Sequence, residues 1–354
     1  MFASLSLGWL AAIFIGAIAI VWVAGGWLSD STDALASRFH MGQALGGILL
    51  LAISTNLPEV AITASAALHH HIGVAIGNLL GGIAIQTVVL VVLDFALKGE
   101  RPLTYRAASL GLVLEAALVV VVLAISVMGT RITPGLIFWR VTPQNLAIAL
   151  AWIGGILLQK RVSGKLPWQQ AGEAPDSQAQ PTGHSQTEKG QKAGSTSGVL
   201  VKFLIGCLLT LAAGVALELS GDAIAGHLGM SGVLFGATFL AASTSIPEVS
   251  SGITSVRMRD YKLAISDIFG GNAFLPVLFL LAGLLSGESV LPYAQNTDVY
   301  LASLGIVLTS IYIFGLVTRP SRRVARLGVD SWIVLIAYIA GMVGLFFVHN
   351  HPAS

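Results

Sequence analysis

Ten apolar runs, each close to the length that a helix needs to cross a bilayer, constrain the fold of this chain more than any other feature. They occupy residues 7–28, 43–68, 73–97, 107–128, 144–159, 199–219, 231–256, 262–286, 298–318 and 330–348. Hydrophobic residues form 55% of the chain and charged residues only 10%, whereas a soluble domain carries roughly 25% charged residues. The sequence therefore excludes a water-soluble globule and predicts an all-α polytopic membrane protein with ten transmembrane helices.

A polar segment divides these runs into two groups of five. Residues 160–198 open with Lys160 and Arg161 and continue mostly with Gln, Ser, Gly, Thr and Pro. This composition cannot bury a core and is typical of a flexible linker. We expect a first membrane repeat at 1–159 (spans 1–5), a linker at 160–198 and a second membrane repeat at 199–354 (spans 6–10).

The lysines and arginines predict the orientation. Of the 19, 17 fall in loops reached after an odd number of spans, and only Arg131 and Arg140 fall on the other side. A miscounted span would have mixed the two sides, and cytoplasmic loops are the ones rich in Lys and Arg. We therefore expect an inner-membrane or plasma-membrane protein with a cytoplasmic linker and both termini outside.

The two groups of spans are copies of one another. When the sequence is shifted by 189 residues, 42–84 aligns with 231–273 and 14 of the 43 positions are identical. Each copy holds five spans, an odd number, so the copies must be inverted relative to each other in the membrane. Inverted repeats are the architecture of many secondary transporters, whose broken helices bind the substrate near the bilayer midplane.

The most informative motif lies in the middle of the second and seventh apolar runs. It reads Ser-Thr-Asn-Leu-Pro-Glu at 54–59 and Ser-Thr-Ser-Ile-Pro-Glu at 243–248. Proline has no N–H and disfavours helical geometry in the residue before it, so we expect both spans to break there. Broken backbone at membrane depth lines a protein or water cavity, where a glutamate and nearby oxygens form a cation site.

A second pair of polar residues follows each motif at the same spacing. Asn78 and Asp267 stand 19 residues after Glu59 and Glu248, on the third and eighth spans. The glycines around them allow close helix packing in either case. The plain alternative is that the prolines only kink their helices and that neighbouring polar groups satisfy the glutamates. Two symmetry-related copies favour a functional site, because intramembrane carboxylates are costly.

At these residues the sequence resembles the cation/Ca²⁺ exchanger superfamily, most closely its sodium/calcium exchanger branch. The family motif Gly-Thr-Ser-Leu/Ile-Pro-Glu/Asp is matched at Thr55, Pro58 and Glu59, with Asn56 in place of Ser. In the second copy the matching positions are Thr244, Ser245, Pro247 and Glu248. The family segment Gly-Asn-x-x-Gly-Ser-Asn is matched at Gly77, Asn78 and Gly81, and at Gly270 and Asn272. The resemblance implies ten spans, a cytoplasmic linker, and a first and sixth span that slide across the remaining core.

The departures from the family pattern bear on the transported ions. Glycines stand at positions 82 and 271, where sodium/calcium exchangers generally carry Ser, and Gln86 and Leu275 stand where many members place a cation-binding Asn or Asp. Gln86 can donate an oxygen, whereas Leu275 cannot. We expect antiport of Ca²⁺ for Na⁺, with exchange of Ca²⁺ (or another cation) for H⁺ as the alternative. The candidate cation ligands are Glu59, Glu248, Thr55, Asn56, Thr244, Ser245, Asn78, Asp267 and Gln86.

Other features leave alternatives open. Glu115, in the fourth span, is a proton carrier or a packed carboxyl with a polar neighbour. For the tract His69–His71 the alternatives are binding of a transition metal, sensing of pH and, more simply, a solvated turn.

The chain carries no Gly-x-Ser-x-Gly, His-Glu-x-x-His or nucleotide-binding motif, so we expect no enzyme and no cofactor. A net charge of +2 gives no reason to expect a nucleic-acid partner. Membrane lipid and inorganic cations are the expected partners, and a cation channel is a remote alternative.

Overall fold

The computed structural model describes residues 2, 5–38, 53–107, 109–132, 140–162 and 195–350. The helices of the first repeat are α1 (Leu7–Arg38), α2 (Leu57–Leu68), α3 (Ile72–Ala96), α4 (Leu103–Ala107), α5 (Leu110–Gly129) and α6 (Pro143–Val162). The second repeat begins with α7 (Thr196–Leu228), α8 (Gly232–Phe235), a π-helical turn (Gly236–Leu240), α9 (Ala241–Thr244) and α10 (Ile246–Arg257). It continues with α11 (Tyr261–Phe274), a 3₁₀ turn (Leu275–Val277), α12 (Leu278–Ser286), a second 3₁₀ turn (Leu291–Tyr293), α13 (Asn296–Thr318), a hairpin of β1 (Arg323–Val324) and β2 (Leu327–Gly328), and α14 (Val329–Asn350).

Ten helical segments match the ten predicted spans. Within the described residues, eight helical stretches are long and apolar enough to cross a membrane. The other two are α6, with 20 residues, and the shorter apolar helix α2. The first part of the second span, 43–52, and most of the predicted linker, 163–194, lie outside the described residues. The prediction of an all-α polytopic fold with two five-helix repeats is confirmed.

The connections gather at two ends of the bundle, as ten alternating spans require. At one end, the ring of His70 lies 3.3 Å from Glu288, and Arg140 donates to the carbonyl of Leu284 at 3.1 Å. These residues come from the connections between spans 2 and 3, 4 and 5, and 8 and 9. Their contacts place three of the loops predicted to lie outside on one end of the molecule.

The opposite end collects the loops richest in positive charge. Arg106 donates to the hydroxyl of Tyr261 at 2.9 Å, and Arg319 donates to the carbonyl of Tyr105 at 3.0 Å. These contacts join the connections between spans 3 and 4, 7 and 8, and 9 and 10. The rings and guanidinium groups also stack there, with Arg319 4.5 Å from the ring centre of Tyr105. This end is the one that the charge distribution predicts to be cytoplasmic.

Two hydrophobic clusters divide the bundle. The larger cluster joins α3, α5, α11 and α13 through fully buried side chains such as Ile83, Leu123 and Phe269. The smaller one is built around α1 and α7, with Phe14 and Leu217 at its centre. The outer faces of these two helices carry exposed apolar side chains, as lipid-facing helices do. The α1/α7 pair thus packs against α2, α3 and α8 of the main body through this smaller cluster.

Candidate cation-binding site

The second and seventh spans both break at the Pro-Glu motif. Asn56 forms a one-residue turn before α2, which carries Pro58 in its first turn. Ser245 forms the matching turn between α9 and α10, and Pro247 lies in the first turn of α10. Because proline cannot donate a backbone hydrogen bond, each helix ends and restarts at this point. The predicted breaks are therefore confirmed.

Close packing of α3 against the first half of the seventh span positions the site. A β-carbon at Gly77 would collide with the carbonyl of Val233, and one at Gly81 would collide with Ala237. These glycines thus let α3 touch the backbone that leads into the break. The π-helical turn Gly236–Leu240 lies in this stretch, and such turns are frequent at functional sites.

Gln86, on α3, brings the two repeats together. Its Nε2 lies 3.4 Å from Glu59 Oε1, 3.5 Å from Glu248 Oε1 and 3.4 Å from Asn56 Oδ1. All four side chains are buried, with at most 1% of their surface exposed. One amide group therefore contacts a carboxylate from each repeat, so the two glutamates face each other across a single site.

Two more predicted residues, Thr244 and Asp267, lie beside this pair. The hydroxyl of Thr244 donates to the carbonyl of Ala241 at 3.3 Å and also interacts with the Glu59 carboxylate across the boundary between the repeats. Asp267 lies close enough to Glu248 for their charges to repel. Asp267 accepts a hydrogen bond of 2.8 Å from Ser251. A third carboxylate thus borders the site on the side of the second repeat.

The remaining candidates are buried but are held differently. The hydroxyl of Ser245 donates to the carbonyl of Ala241 at 2.8 Å and so faces its own helix. Thr55 is buried directly before the first break. Asn78 is fully buried, and both polar atoms of its side chain are without a hydrogen-bond partner in the described part of the chain. Sequence equivalence alone relates Asn78 to Asp267, whose carboxylate does have a partner.

Several buried oxygens of the site have no protein donor among the described residues. They are Glu59 Oε2, Glu248 Oε2, Gln86 Oε1 and Asp267 Oδ1. Buried polar atoms are normally paired, so a concentration of unpaired oxygens needs an explanation. A hard cation takes such oxygens as ligands. In the described residues no three His, Cys, Asp or Glu side chains are placed to hold a metal ion together, so amide, hydroxyl and main-chain oxygens would have to complete the shell.

Comparison with known proteins identifies the family. The model of the family described as "Sodium/calcium exchanger protein" matches residues 9–158 and 198–347, which together form most of the chain. The chain belongs to the sodium/calcium exchanger family. It is therefore an integral, multi-pass membrane protein of a family of cation exchangers rather than of enzymes.

Two similar membrane proteins cover nearly the whole chain. CaxA of Alkalimonas amylolytica is 26% identical over 338 residues, covering 94% of this chain and 97% of the relative. The inner membrane protein YrbG of Escherichia coli strain K12 is 26% identical over 333 residues, covering 93% and 96%. These matches extend through both repeats, so the likeness is to whole proteins.

Two solved structures share the fold. The sodium-calcium exchanger NCX_Mj aligns with a TM-score of 0.59 and 18% identity, over 96% of this chain and 99% of its own. The H⁺/Ca²⁺ exchanger CAX aligns with a TM-score of 0.59 and 14% identity, over 97% and 91%. The backbone of this exchanger is thus equally similar to two proteins whose coupling ions differ.

The structure explains one departure from the family motif. A β-carbon at Gly271 would lie 2.7 Å from Nδ2 of Asn56, which is closer than non-bonded atoms approach. Asn56 replaces a smaller serine of the family pattern, and Gly271 also stands where the pattern has serine. The loss of one side chain makes room for the larger amide, so the two departures compensate each other.

A second departure from the family pattern, at Leu275, removes a possible oxygen ligand from the site. Leu275, at the position where many members place an Asn or Asp, is fully buried and begins the 3₁₀ turn Leu275–Val277. Its Cδ1 lies 3.5 Å from the point where Gly82 would carry a β-carbon. Gly82 and Leu275 therefore form an apolar contact beside the site, where the family pattern has two polar residues.

Two residues that support the site were not among the predicted ligands. Ser251 holds Asp267, and Asn272 donates to Thr87 at 3.1 Å and so joins the eighth span to the third. Asn272 matches the family segment on the eighth span, so the sequence alone could have identified it as a residue of the site. Ser251 lies one helical turn after Glu248 on the same face, but its counterpart in the first repeat is Ile62, so the repeat comparison concealed it.

Glu115 has polar neighbours from the fifth and eighth spans. It accepts a hydrogen bond from Gln159, and Ser266 and Lys262 lie beside it. This arrangement favours the packed carboxyl of the two alternatives for Glu115. The expected solvated turn at His69–His71 is present, with the side chains of His69 and His70 at least half exposed. The ring of His71 also contacts Glu218, which is fully buried on α7.

The α1/α7 pair touches both helix breaks through equivalent glycines. A β-carbon at Gly214 would lie 2.5 Å from Ala61 Cβ and 3.0 Å from the carbonyl oxygen of Pro58. A β-carbon at Gly25, which precedes Gly214 by 189 residues, would lie 3.0 Å from Pro247 Cβ. Each helix of the pair therefore lies directly against the Pro-Glu motif of the opposite repeat.

Proposed function

We propose that this exchanger is a secondary active antiporter that carries Ca²⁺ at the site between Glu59 and Glu248. The observation that supports this most is the position of Gln86, within 3.5 Å of both carboxylates. Two buried, like-charged groups attract a divalent cation strongly. Oxygens of Gln86, Asn56 and Thr244, with main-chain carbonyls, would supply further ligands.

The same charges account for coupling. An ionised pair of carboxylates is very costly to expose to hydrocarbon, whereas a cation-loaded pair is not. The protein would therefore change its access from one side to the other only when the site is loaded. One ion leaves and a different ion must replace it before the return step, which is antiport.

Na⁺ is our proposed counter-ion. Dehydrated Na⁺ requires several oxygen ligands, and the polar side chains around the glutamates are suited to that role. The family to which the chain belongs is named for sodium/calcium exchange.

H⁺ is the second candidate, because of Leu275. This side chain contributes no oxygen and packs against Gly82, so the site has fewer ligands for monovalent metal ions than the family pattern has. Protonation of the glutamates needs no such ligands. The likeness to both NCX_Mj and CAX does not favour either ion.

We further propose that the exchanger lies in the inner or plasma membrane with its termini outside and residues 160–198 in the cytoplasm. The uneven distribution of Lys and Arg supports this orientation. The two repeats would act as one unit, with the sliding α1/α7 pair as the moving part.

Flux into liposomes tests the function and its coupling ion. Purified protein in Na⁺-loaded vesicles should accumulate ⁴⁵Ca²⁺ when external Na⁺ is removed at constant pH. Uptake that follows an imposed pH gradient and ignores Na⁺ would establish the second candidate. If neither gradient drives Ca²⁺, the proposed substrate is wrong, and Mn²⁺, Mg²⁺ or Na⁺/H⁺ exchange should be tested in the same vesicles.

A further inference from the structure

A second pair of buried carboxylates lies at the end of the main body that the charge distribution predicts to be cytoplasmic. Asp94 is in the last turn of α3 and Asp330 is in the first turn of α14, and at most 5% of either residue is exposed. The N–H of Gly328 donates to Asp94 Oδ2 at 2.6 Å. A β-carbon on the same glycine would lie 2.5 Å from Asp330 Oδ1. The two carboxylates therefore lie on either side of one residue.

The carboxylate of Asp94 has partners on both oxygens. Oδ1 accepts from the N–H of Leu103 at 2.8 Å, and Oδ2 also accepts from the hydroxyl of Ser331 at 2.9 Å. A guanidinium nitrogen of Arg323 lies 3.9 Å from Oδ1. The charge of Asp94 is therefore balanced, and its hydrogen bonds join α3 to the starts of α4 and α14.

The carboxylate of Asp330 lacks such partners. The hydroxyl of Thr104 and the first N–H groups of α14 lie beside it, but no donor in the described part of the chain reaches either oxygen in hydrogen-bond geometry. Asp94 lies close enough to repel its charge. A buried, ionised carboxylate without a partner is very costly. Asp330 therefore needs a proton or a positively charged ligand.

Two buried hydroxyl groups lie on the same side as Asp330. One belongs to Thr104, and the other to Tyr312, which lies close enough to both acids to feel their charges. Each residue is 1% exposed, and neither hydroxyl has a hydrogen-bond partner among the described residues. Oδ2 of Asp330 faces the helix of Tyr312, because a β-carbon at Gly315, one turn further along α13, would lie 2.5 Å from it. A single proton would satisfy few of these oxygens, whereas a cation takes all of them as ligands.

The first repeat carries no equivalent of this cluster. At the shift of 189 residues, Asp94 and Asp330 correspond to Gly283 and Val141, and Tyr312 corresponds to Leu123. The duplicated architecture therefore forms without these polar groups, and helix packing alone does not account for them.

We propose that Asp330, Tyr312 and Thr104 bind a hard monovalent cation, Na⁺, at this end of the main body. The local charge favours a monovalent ion, because Arg323 balances Asp94 and one negative charge is left for the ligand. No three His, Cys, Asp or Glu side chains of the described residues are placed to hold a metal ion, so hydroxyl and main-chain oxygens complete the shell. The bound ion joins α4, α13 and α14.

This site is separate from the paired glutamates. Gln86, which contacts both of them, precedes Asp94 on α3 by eight residues, about 12 Å along a helix. The ion also lies within the main body and not against the α1/α7 pair. Its role is therefore to stabilise the body across which the pair is proposed to slide, and it does not depend on which ions are transported.

Thermal unfolding in Na⁺ tests the site. The parent protein is the double variant Glu59→Gln/Glu248→Gln, which lacks both carboxylates of the proposed transport site. With choline exchanged for Na⁺ at constant ionic strength, its Tm should rise by about 3 °C at ten times the midpoint concentration of Na⁺. Tyr312→Phe should weaken this rise, and Asp330→Asn should abolish it. Without Na⁺, Asp330→Asn should be no less stable than the parent, because it removes an unpaired buried charge.

Two variants make the same chemical changes away from the cluster. Asp30→Asn replaces an acid on α1 whose side chain is 77% exposed, and Tyr338→Phe removes a phenol from α14 two turns beyond Asp330. Both should keep the full rise in Tm. If the double variant yields no folded protein, the comparison of Asp330→Asn with Asp30→Asn in the wild-type background measures the same difference.

Equilibrium binding of ²²Na⁺ gives a direct readout. The double variant should bind the label, and it should lose this binding when Asp330→Asn is added. A Tm that is independent of Na⁺, a rise that persists in Asp330→Asn, or a rise with Ca²⁺ but not with Na⁺ would overturn the proposal. Because the parent lacks the paired glutamates, these results are independent of whether the wild type exchanges Ca²⁺.

Discussion

Glu59→Gln and Glu248→Gln should each reduce Ca²⁺ exchange at least about a hundredfold while the protein still inserts into the membrane. Glutamine keeps the size and most of the hydrogen bonding of glutamate but removes a charge from a fully buried site. Loss of one partner from a buried ionic interaction costs about 3–5 kcal/mol, which corresponds to a hundredfold or more in affinity. The measurement is ⁴⁵Ca²⁺ uptake per reconstituted protein.

Glu100→Gln is the control for the substitution of glutamate by glutamine. It makes the same chemical change at an exposed position in the connection after α3, and it should transport like the wild type. The two site variants should elute as monodisperse protein, since neither carboxylate pairs with a positive group among the described residues. Near-normal flux in either site variant would mean that its glutamate is structural.

Gly214→Ala should slow exchange about tenfold or more although alanine is the better helix former. The added methyl would lie 2.5 Å from Ala61 Cβ, so α7 must move away from α2 at the point where it lies against the Pro58 carbonyl. Overpacking of this kind costs about 1–3 kcal/mol. We expect a smaller loss for Gly25→Ala, because its β-carbon would approach Pro247 only to 3.0 Å.

Matched controls lie on the same two helices. Gly226, on α7, and Gly26, on α1, have no atom within 4 Å of the position that a β-carbon would take. Their alanine variants should transport like the wild type and be no less stable. If Gly214→Ala behaves like Gly226→Ala, close contact between α7 and the helix break has no part in transport.

Much of the architecture could be predicted from the sequence, because the rules involved act along the chain. Apolar runs of membrane length gave the number of helices, and proline without an N–H gave the breaks at Pro58 and Pro247. The 189-residue repeat and the odd number of spans gave the inversion. Each of these features depends on residues that are close in sequence or related by the duplication.

The details of the site depend instead on contacts between distant residues. The Gln86 side chain meets Glu248, 162 positions away, and no periodicity specifies that direction. The larger side chain of Asn56 is compensated by the missing side chain of Gly271 in the other repeat. When each position is compared with the family motif separately, the two differences look unrelated. The contact between His71 and Glu218 is equally hidden, because sequence shows burial tendency but not which side chains meet.

Counterflow of Ca²⁺ tests the central claim, a single site open to one side at a time, most directly. With Na⁺ absent, pH equal and the membrane potential clamped at zero, vesicles loaded with unlabelled Ca²⁺ should take up external ⁴⁵Ca²⁺ much faster than vesicles without internal Ca²⁺. The acceleration should be lost in Glu59→Gln. An exchanger predicts this result because only the loaded site returns. Entry of ⁴⁵Ca²⁺ that is equally fast without internal Ca²⁺ and leaves the internal pH unchanged would indicate a channel and contradict the account.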